Sequence, residues 1–549
     1  MRHGGQILVH QLKTQNCDRV FTVPGINLTN ILDGLYENAK LQTITCRQQS
    51  AASIMAQAHG QLTEKPGICL VSGLEGAINA TIGLHTAQSN ATPLILIVGL
   101  PPSTLLNRGT TRDINFISYF SNATKYCAIV DSAERIPEYI SRAWHIATSG
   151  KPGPTIIGIP VDIQEQRAHI EDLKPAKRGF SSPSDADMQE LQSMLESASR
   201  PLLVVGGSGW SAETSRNILT FAENFDLPVT AAYRCQDYIN NHHTHYVGHT
   251  GTNMNPALTR RFREADLVIA LGTELEENTT DNNAILRTPQ PEGQLIHIHP
   301  DPSELGRIYQ ADLMINANSL QFSEKLMKLE PSQSIQWNEW RADARKDYEN
   351  FLIPHDTPGD VKLEYIIRVI NEVAPENTII THGDGTYADW LHRYYQFREH
   401  KSRIAPNSNV PEYALPAAIA SKLAEPARTV IAIVGDGGFM VNAGELATAM
   451  HYGLKIIVIL VNNNMYGAAR FAQESKYPNR VLGTSLSNPD FMKFAESFGI
   501  TGETIEHRKM FRTILKRALK SKTSTVINLP VSENAISTNL SLSDLRSKS

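Results

Sequence analysis

No run of apolar residues in this chain approaches the ~20 needed to cross a bilayer as a helix, and the strand-like stretches are short and end in turn residues. A membrane protein is therefore not expected. The opening MRHGGQILVHQL has neither the apolar core nor the small-residue cleavage site of an export signal. Cysteine is scarce: Cys17, Cys46, Cys69, Cys127 and Cys235 stand far apart, so neither a zinc ribbon nor a disulfide framework is expected, and a reducing cytoplasm fits. Basic residues are outnumbered, 51 against 56 acidic, for a net charge of -5. They are also dispersed, which leaves no footprint for nucleic acid or an anionic membrane. No short tandem repeat is visible, which argues against a solenoid.

What is present is an ordinary globular composition, 41% apolar and 19% charged, in a chain of 549 residues. That length is too great for one core and predicts about three or four domains. Short β-branched runs alternate with helix-like segments, the pattern of parallel sheets with crossover helices. A first unit, 1–167, holds RVFTV, GICLV, LILIV and TIIGI. Residues 168–186 read as a linker. A second unit, 187–330, holds PLLVVGG, LPVTAA, DLVIALG and QLIHIH. A polar, aromatic-dotted connector spans 331–360. A third unit, 361–533, holds NTIITHG, RTVIAIVGDGG, KIIVILVNNN and STVINLP, and the Ser-rich end reads as a frayed tail. The expected fold class is α/β, with three domains of mainly parallel sheet flanked by helices.

The strongest chemical signal runs from Gly435 to Gly467. A buried strand leads into Gly435-Asp436-Gly437-Gly438, where missing Cβ atoms let backbone N–H groups approach phosphate oxygens. A helix is expected to begin near Asn442, capped by its side chain and completed by Glu445 as a capping box. The next strand delivers Asn462-Asn463-Asn464. Asp436 and Asn463, 27 positions apart, should then meet at the carboxyl edge of one sheet, where open α/β sheets bind ligands. One carboxylate, one amide oxygen, a backbone carbonyl and two phosphate oxygens make an all-oxygen shell suited to magnesium. A glycine-rich turn and an Asn-rich strand exit are each common alone, so the weight lies in their combination.

That combination matches the signature of thiamine diphosphate enzymes, and the chain resembles the acetolactate synthase-like group over nearly its whole length. FTVPGINLTNILDGL, KPGICLVSGLEGAINATIGLHTAQSNATPLILIVG and GKPGPTIIGIPVDIQ resemble its pyrimidine-binding domain. PLLVVGGSGW and EADLVIALGTELEE resemble its central domain; THGDGTYADWLHRYYQF, the metal motif and NPDFMKFAESFG resemble its diphosphate-binding domain. The resemblance implies magnesium held by Asp436, Asn463 and the Met465 carbonyl, with Gly437 and Gly438 on the diphosphate. It also implies that Gly25, Gly76, Asn79, Asp384, Gly385, Asn409, Pro411, Tyr466 and Gly467 surround the cofactor. In that family the cofactor lies between the pyrimidine domain of one subunit and the diphosphate domain of another, which implies a homodimer or homotetramer. A 2-oxo acid such as pyruvate is the implied substrate. Carboligation is the implied reaction, with simple decarboxylation or 2-hydroxyacyl-CoA lysis as the alternative. Some relatives bind a flavin or adenine nucleotide centrally, but GGSGW lacks a full dinucleotide fingerprint and no residue here demands one.

Three stretches depart from the family pattern. Arg47-Gln48-Gln49-Ser50 stands where Arg-His-Glu-Gln is usual. Gln49 can hydrogen-bond the pyrimidine nitrogen but cannot give it a proton, and removing a positioned acid typically costs about 10²–10⁴ in rate. A carboligase of the same superfamily works without this glutamate, and a non-catalytic, cofactor-binding role is the competing expectation. Asn409-Val410-Pro411-Glu412-Tyr413 replaces a Gly-Ser-Met-Gly-Tyr-like stretch; Glu412 either supplies the lost carboxylate or turns outward or into a salt bridge. Ser72-Gly73-Leu74-Glu75-Gly76 replaces a Thr-Ser-Gly-Pro-Gly turn. In Thr111-Arg112-Asp113, Arg112 is either a clamp for a substrate carboxylate or a surface arginine paired with Asp113. His242, His243, His245 and His249 invite a zinc reading, but without cysteine or helical spacing they read as ordinary loop residues.

Overall fold

A computed structural model describes residues 1–106, 108, 114–331 and 335–547. A short pair, β1 (Arg2–His3) antiparallel to β8 (Arg167–Ala168), closes the first unit. Between them lie β2 (Arg19–Val23), β3 (Gln42–Thr45), β4 (Gly67–Ser72), β5 (Leu94–Leu100), β6 (Tyr126–Ile129) and β7 (Pro154–Pro160). The central unit holds β9 (Pro201–Val205), β10 (Val229–Ala231), β11 (Tyr246–His249), β12 (Leu267–Leu271), β13 (Gln294–His299) and β14 (Leu313–Asn316). The last holds β15 (Ile379–His382), β16 (Arg403–Ile404), β17 (Val430–Gly435), β18 (Ile457–Asn462), β19 (Thr501–Thr504) and β20 (Thr525–Pro530). These eighteen strands form three six-stranded parallel sheets. The three-domain α/β expectation holds.

The orders are β3-β2-β4-β5-β7-β6, β11-β10-β9-β12-β13-β14 and β16-β15-β17-β18-β20-β19. Strands at the middle of each sheet are covered on both faces, so their sequences are continuous apolar runs rather than alternating ones. β5 and β7 are buried at every residue. Helices lay one stripe on the sheet: Leu363–Val373 buries Leu363, Ile366, Ile367 and Ile370.

The helix Gln49–Thr63 differs, being buried from Ser50 through Gly60 on every face. Its small residues let it fit between the first and last sheets, against the helix Ala414–Ala424, with Tyr413 Oη donating to Gln57 Oε1 (2.6 Å). One continuous core therefore joins the first and last domains, whereas the central domain has its own.

Two stretches are more ordered than the sequence suggests. Within the connector a helix, Asn338–Phe351, packs Ala344 and Tyr348 into the central core. The chain end forms a helix, Leu542–Ser547, whose Leu542 packs with Met465 and Ile536. Arg546 Nη2 donates to the buried Glu474 carboxylate (2.5 Å). The tail reads as polar because two leucines, Leu542 and Leu545, and one ion pair do the anchoring.

Candidate functional site

β17 and β18 are neighbours, with Gly435 opposite Val461 in register, so the segments leaving them emerge side by side. Asp436 begins a helix directly, Asp436–Asn442. This corrects the helix start expected near Asn442, which is instead the last residue of that helix. Asn442 Nδ2 donates to the Glu412 carbonyl (3.3 Å), and Glu445 makes no capping box; its carboxylate is used by another domain. The strand runs straight into the helix because glycines on either side of Asp436 tolerate the crowding. A Cβ at Gly438 would collide with the Pro411 carbonyl oxygen, and one at Gly437 would lie 2.7 Å from the Tyr466 ring.

Asp436 is 2% exposed. Burial pushes its carboxyl above the usual carboxylate range, opposed by hydrogen bonds from Asn488 and the Gly437 N–H. No Lys, Arg or His pairs with it among the described residues. Across from it, Asn464 adopts φ 55°, the left-handed region asparagine tolerates. The Met465 N–H donates to Asn463 Oδ1 (3.2 Å). Asn488 Nδ2 lies against Asp436 Oδ2 (2.7 Å), Asn462 Oδ1 (3.1 Å) and Asn464 Oδ1 (3.0 Å). Asn488 therefore ties the two exits together, from 52 positions beyond Asp436. The sequence shows Asn488 only as the start of NPDFMKFAESFG; the link is made by the fold.

A cavity of about 260 Å³ opens here, lined by Asp384, Gly385, Pro411, Asp436, Gly437, Gly438, Asn463, Met465, Tyr466 and Gly467 among others. Ten of the sequence-predicted positions thus share one wall. Asp384 also accepts from Arg234 Nη2 of the central domain (2.9 Å). Asn409 does not join them. It faces a separate cavity of about 750 Å³ between all three domains, because Val410 turns inward and Asn409 outward. Glu412 is half-buried and enters no ion pair among the described residues.

The first domain's candidates gather elsewhere. Gln49 begins the helix Gln49–Thr63, and its Cγ lies 3.8 Å from where a Gly76 Cβ would be. Gly25 packs on Ser72, and Asn79 ends the helix Gly73–Asn79. None of these lines the Asp436 cavity. Arg112 lies outside the described residues.

The histidines behave as structural groups. His243 pairs with Glu223 and His245 with Asp226. His249 joins His382 and His392 in a buried cluster in which Arg403 donates to His382 Nε2. Among the described residues no three His, Cys, Asp or Glu side chains converge as a metal cluster. A metal at Asp436 would accordingly need amide, carbonyl and ligand oxygens to complete its shell. A buried carboxylate without a cationic partner, facing amide and carbonyl oxygens, fits such an ion.

The architecture and this edge define a cofactor-dependent α/β enzyme in three parallel-sheet domains. The models of the thiamine pyrophosphate enzyme match all three: the N-terminal TPP binding domain at 2–119, the central domain at 188–326 and the C-terminal TPP binding domain at 383–529. The chain belongs to the thiamine pyrophosphate enzyme family, in its acetolactate synthase-like group. It is 26% identical over 534 residues to the acetolactate synthase isozyme 2 large subunit of Escherichia coli K12, covering 97% of this chain and 96% of that one. It is 27% identical over 544 residues to the acetolactate synthase large subunit of Parasynechococcus marenigrum, covering 96% and 87%. It is 26% identical over 553 residues to that of Haemophilus influenzae, covering 97% and 95%. No helix among the described residues is long and apolar enough to cross a membrane.

Proposed function

We propose that this chain is a magnesium- and thiamine diphosphate-dependent carboligase that acts on 2-oxo acids. The observation that carries the reading is the buried Asp436 carboxylate. It has no cationic partner among the described residues and shares a cavity with Asn463, Met465, Gly437 and Gly438. Asp436, Asn463 and the Met465 carbonyl would hold Mg²⁺, and the N–H groups at the start of the helix Asp436–Asn442 would face the diphosphate. When bound, thiamine diphosphate supplies the carbon nucleophile and electron sink that break or join a bond beside a carbonyl. Gly385, Pro411, Tyr466 and Gly467 would wall the cofactor, and Asp384, braced by Arg234, would shape one end.

Among the described residues, those lining the cavity all lie between Leu363 and Ala535. Gln49, Gly25, Gly76 and Asn79 are therefore read as the pyrimidine-facing half of a site completed on a second copy, in a homodimer or homotetramer. Arg112 is proposed to meet the substrate carboxylate. Gln49 in place of an acid favours a second reading, a protein that binds the cofactor with impaired chemistry; decarboxylation or 2-hydroxyacyl-CoA lysis are alternatives within the first. Glu412, half-buried and in no ion pair among the described residues, is the candidate to supply a carboxylate in its stead.

Calorimetric titration tests the metal assignment. Asp436→Ala should abolish magnesium-dependent binding of thiamine diphosphate, since it removes the one charged protein ligand. Unchanged affinity in that variant would contradict the assignment.

A further inference from the structure

Glu445 is 1% exposed, yet neither of its oxygens serves its own domain's sheet. Oε1 accepts from the backbone N–H groups of Arg47 (2.9 Å) and Gln48 (3.1 Å), and Oε2 accepts from the Thr448 hydroxyl (2.6 Å). Residues 47 and 48 are the turn that ends in Gln49. Gln48 is the N-cap of the helix Gln49–Thr63 but makes no side-chain capping bond of its own. The turn takes its anchor from a carboxylate nearly 400 positions away.

A second bond pair repeats the arrangement one step along. Thr45 N–H donates to Tyr452 Oη (2.7 Å), and Tyr452 Oη donates to the Thr43 carbonyl (3.1 Å). Glu445 and Tyr452 together hold residues 43–48, the end of β3 and the turn after it. Glu445 lies on the helical stretch that Asp436 starts, and Tyr452 is the residue that caps its end. The helix Asp436–Asn442 passes through the 3₁₀ turn Ala443–Glu445 into the helix Leu446–His451 with no extended residue between. From its near end Asn442 also binds the Glu412 carbonyl.

We propose that Glu445 is a positioning residue that couples the Asp436 edge to the Gln49 turn within one chain. The inference rests on the functional reading above, in which those two edges are half-sites serving different cofactors. A buried carboxylate is a costly way to fill space, and an apolar side chain would pack more cheaply. What it adds is direction: two converging N–H bonds permit one placement of the turn. Ordering of the Asp436 helix by metal and diphosphate is then passed along one rigid stretch to the turn that carries Gln49, and so to the neighbouring site.

Hydrogen–deuterium exchange on the full-length protein, with and without Mg²⁺ and thiamine diphosphate, tests this. In wild type, loading should raise protection over 436–445 and over 43–49 together. In Glu445→Ala, loading should still protect 436–442, and Gln49 where it faces a neighbouring cofactor, but leave 43–48 unchanged. The Arg47 and Gln48 amides of that variant should exchange at least tenfold faster even when unloaded. Glu445→Gln keeps a carbonyl acceptor and should restore most of the protection, which also covers the case in which the alanine variant misfolds. Wild type whose 43–48 segment ignores loading, or unloaded Glu445→Ala whose Arg47 and Gln48 amides exchange at the wild-type rate, would overturn the coupling. Failure of wild type to bind the cofactor at all would instead strike the functional reading, and the unloaded arm would still decide the Glu445 tie.

Discussion

The first and last domains are two versions of one sheet. Numbered within each domain, both run 2-1-3-4-6-5, whereas the central sheet runs 3-2-1-4-5-6. Equivalent strands therefore deliver equivalent segments to the carboxyl edge. β4 and β17 each pass directly into a seven-residue helix, Gly73–Asn79 and Asp436–Asn442. β3 and β16 lead to the Gln49 turn and the Pro411–Tyr413 turn, and each turn precedes a buried helix. β5 leads toward the segment holding Arg112, and β18 leads to Asn463 and Met465. The backbones match, but the chemistry does not. At the end of β17 stands a buried acid facing amide and carbonyl oxygens; at the end of β4 stand Ser72 and Gly73, with Gln49 near Gly76 a few residues on. One topology thus yields an edge that holds a buried acid and an edge that is neutral at Gln49, and a few residues at the strand exits decide which.

The largest expected change comes from making the neutral edge acidic. Gln49→Glu should speed hydrogen exchange at the thiazolium carbon of bound cofactor by about 10²–10⁴-fold, the usual contribution of a positioned acid or base. If Glu412 already supplies that carboxylate, Glu412→Gln should slow exchange by about 10²-fold or more. Equal rates in wild type and both variants, near that of free cofactor, would leave the non-catalytic reading standing.

A smaller effect separates the two edges sterically. A Cβ at Gly438 meets the Pro411 backbone, whose carbonyl is so closely surrounded that a Cβ at Gly383, just past β15, would collide with it too. At Gly76 the nearest atom to an added Cβ is Val71 Cβ at 3.3 Å. Gly438→Ala should destabilise by about 1–3 kcal/mol, the range for overpacking, and weaken cofactor binding; Gly76→Ala should cost less. Thermal melting of the two variants checks the order, and equal costs would count against it.

The smallest effect is on pH dependence, which arises because buried titratable groups crowd the seam between the central and last domains. Burial, with Arg403 close by, drives His249 down to about 3, and holds His382 and His392 well below their ordinary value. A histidine whose folded pKa lies below its unfolded value of about 6.5 binds more protons when unfolded, so its stability contribution is lost as pH falls below that value. Burial pushes Asp389 up to about 7, which has the opposite sign and favours folding as pH falls. Asp389→Asn removes the opposing group, so the melting temperature of that variant should fall from pH 7.5 to 5 more steeply than wild type. A flatter profile would contradict the histidine account.

The same comparison marks what the sequence could reveal. Every inner strand of all three sheets stands out as a run of β-branched residues, because both its faces are buried. The strands that do not stand out are the sheet edges: β3, β6, β11, β14, β16 and β19. Gln42–Thr45 and Thr501–Thr504 are short and largely polar, since an edge strand is covered less and needs no apolar signal. The candidate site divides likewise. Asp436, Asn463, Met465 and the glycines follow from two strand exits and were legible as a constellation. Asn488 and Glu445 were not, because their roles come from partners that only the fold brings close. Asn409 parts from the other ten because whether a loop residue turns inward or outward depends on its neighbours, here the buried Val410.

The central claim is that the metal edge of the last domain and the neutral edge of the first belong to one cofactor site shared between two copies. Calorimetric titration with thiamine diphosphate, with and without Mg²⁺ and with light scattering on the same samples, tests it most directly. The account predicts magnesium-dependent binding of one cofactor per chain, present only in a dimer or larger assembly. Full-affinity binding to a stable monomer, or binding that ignores the metal, would contradict it.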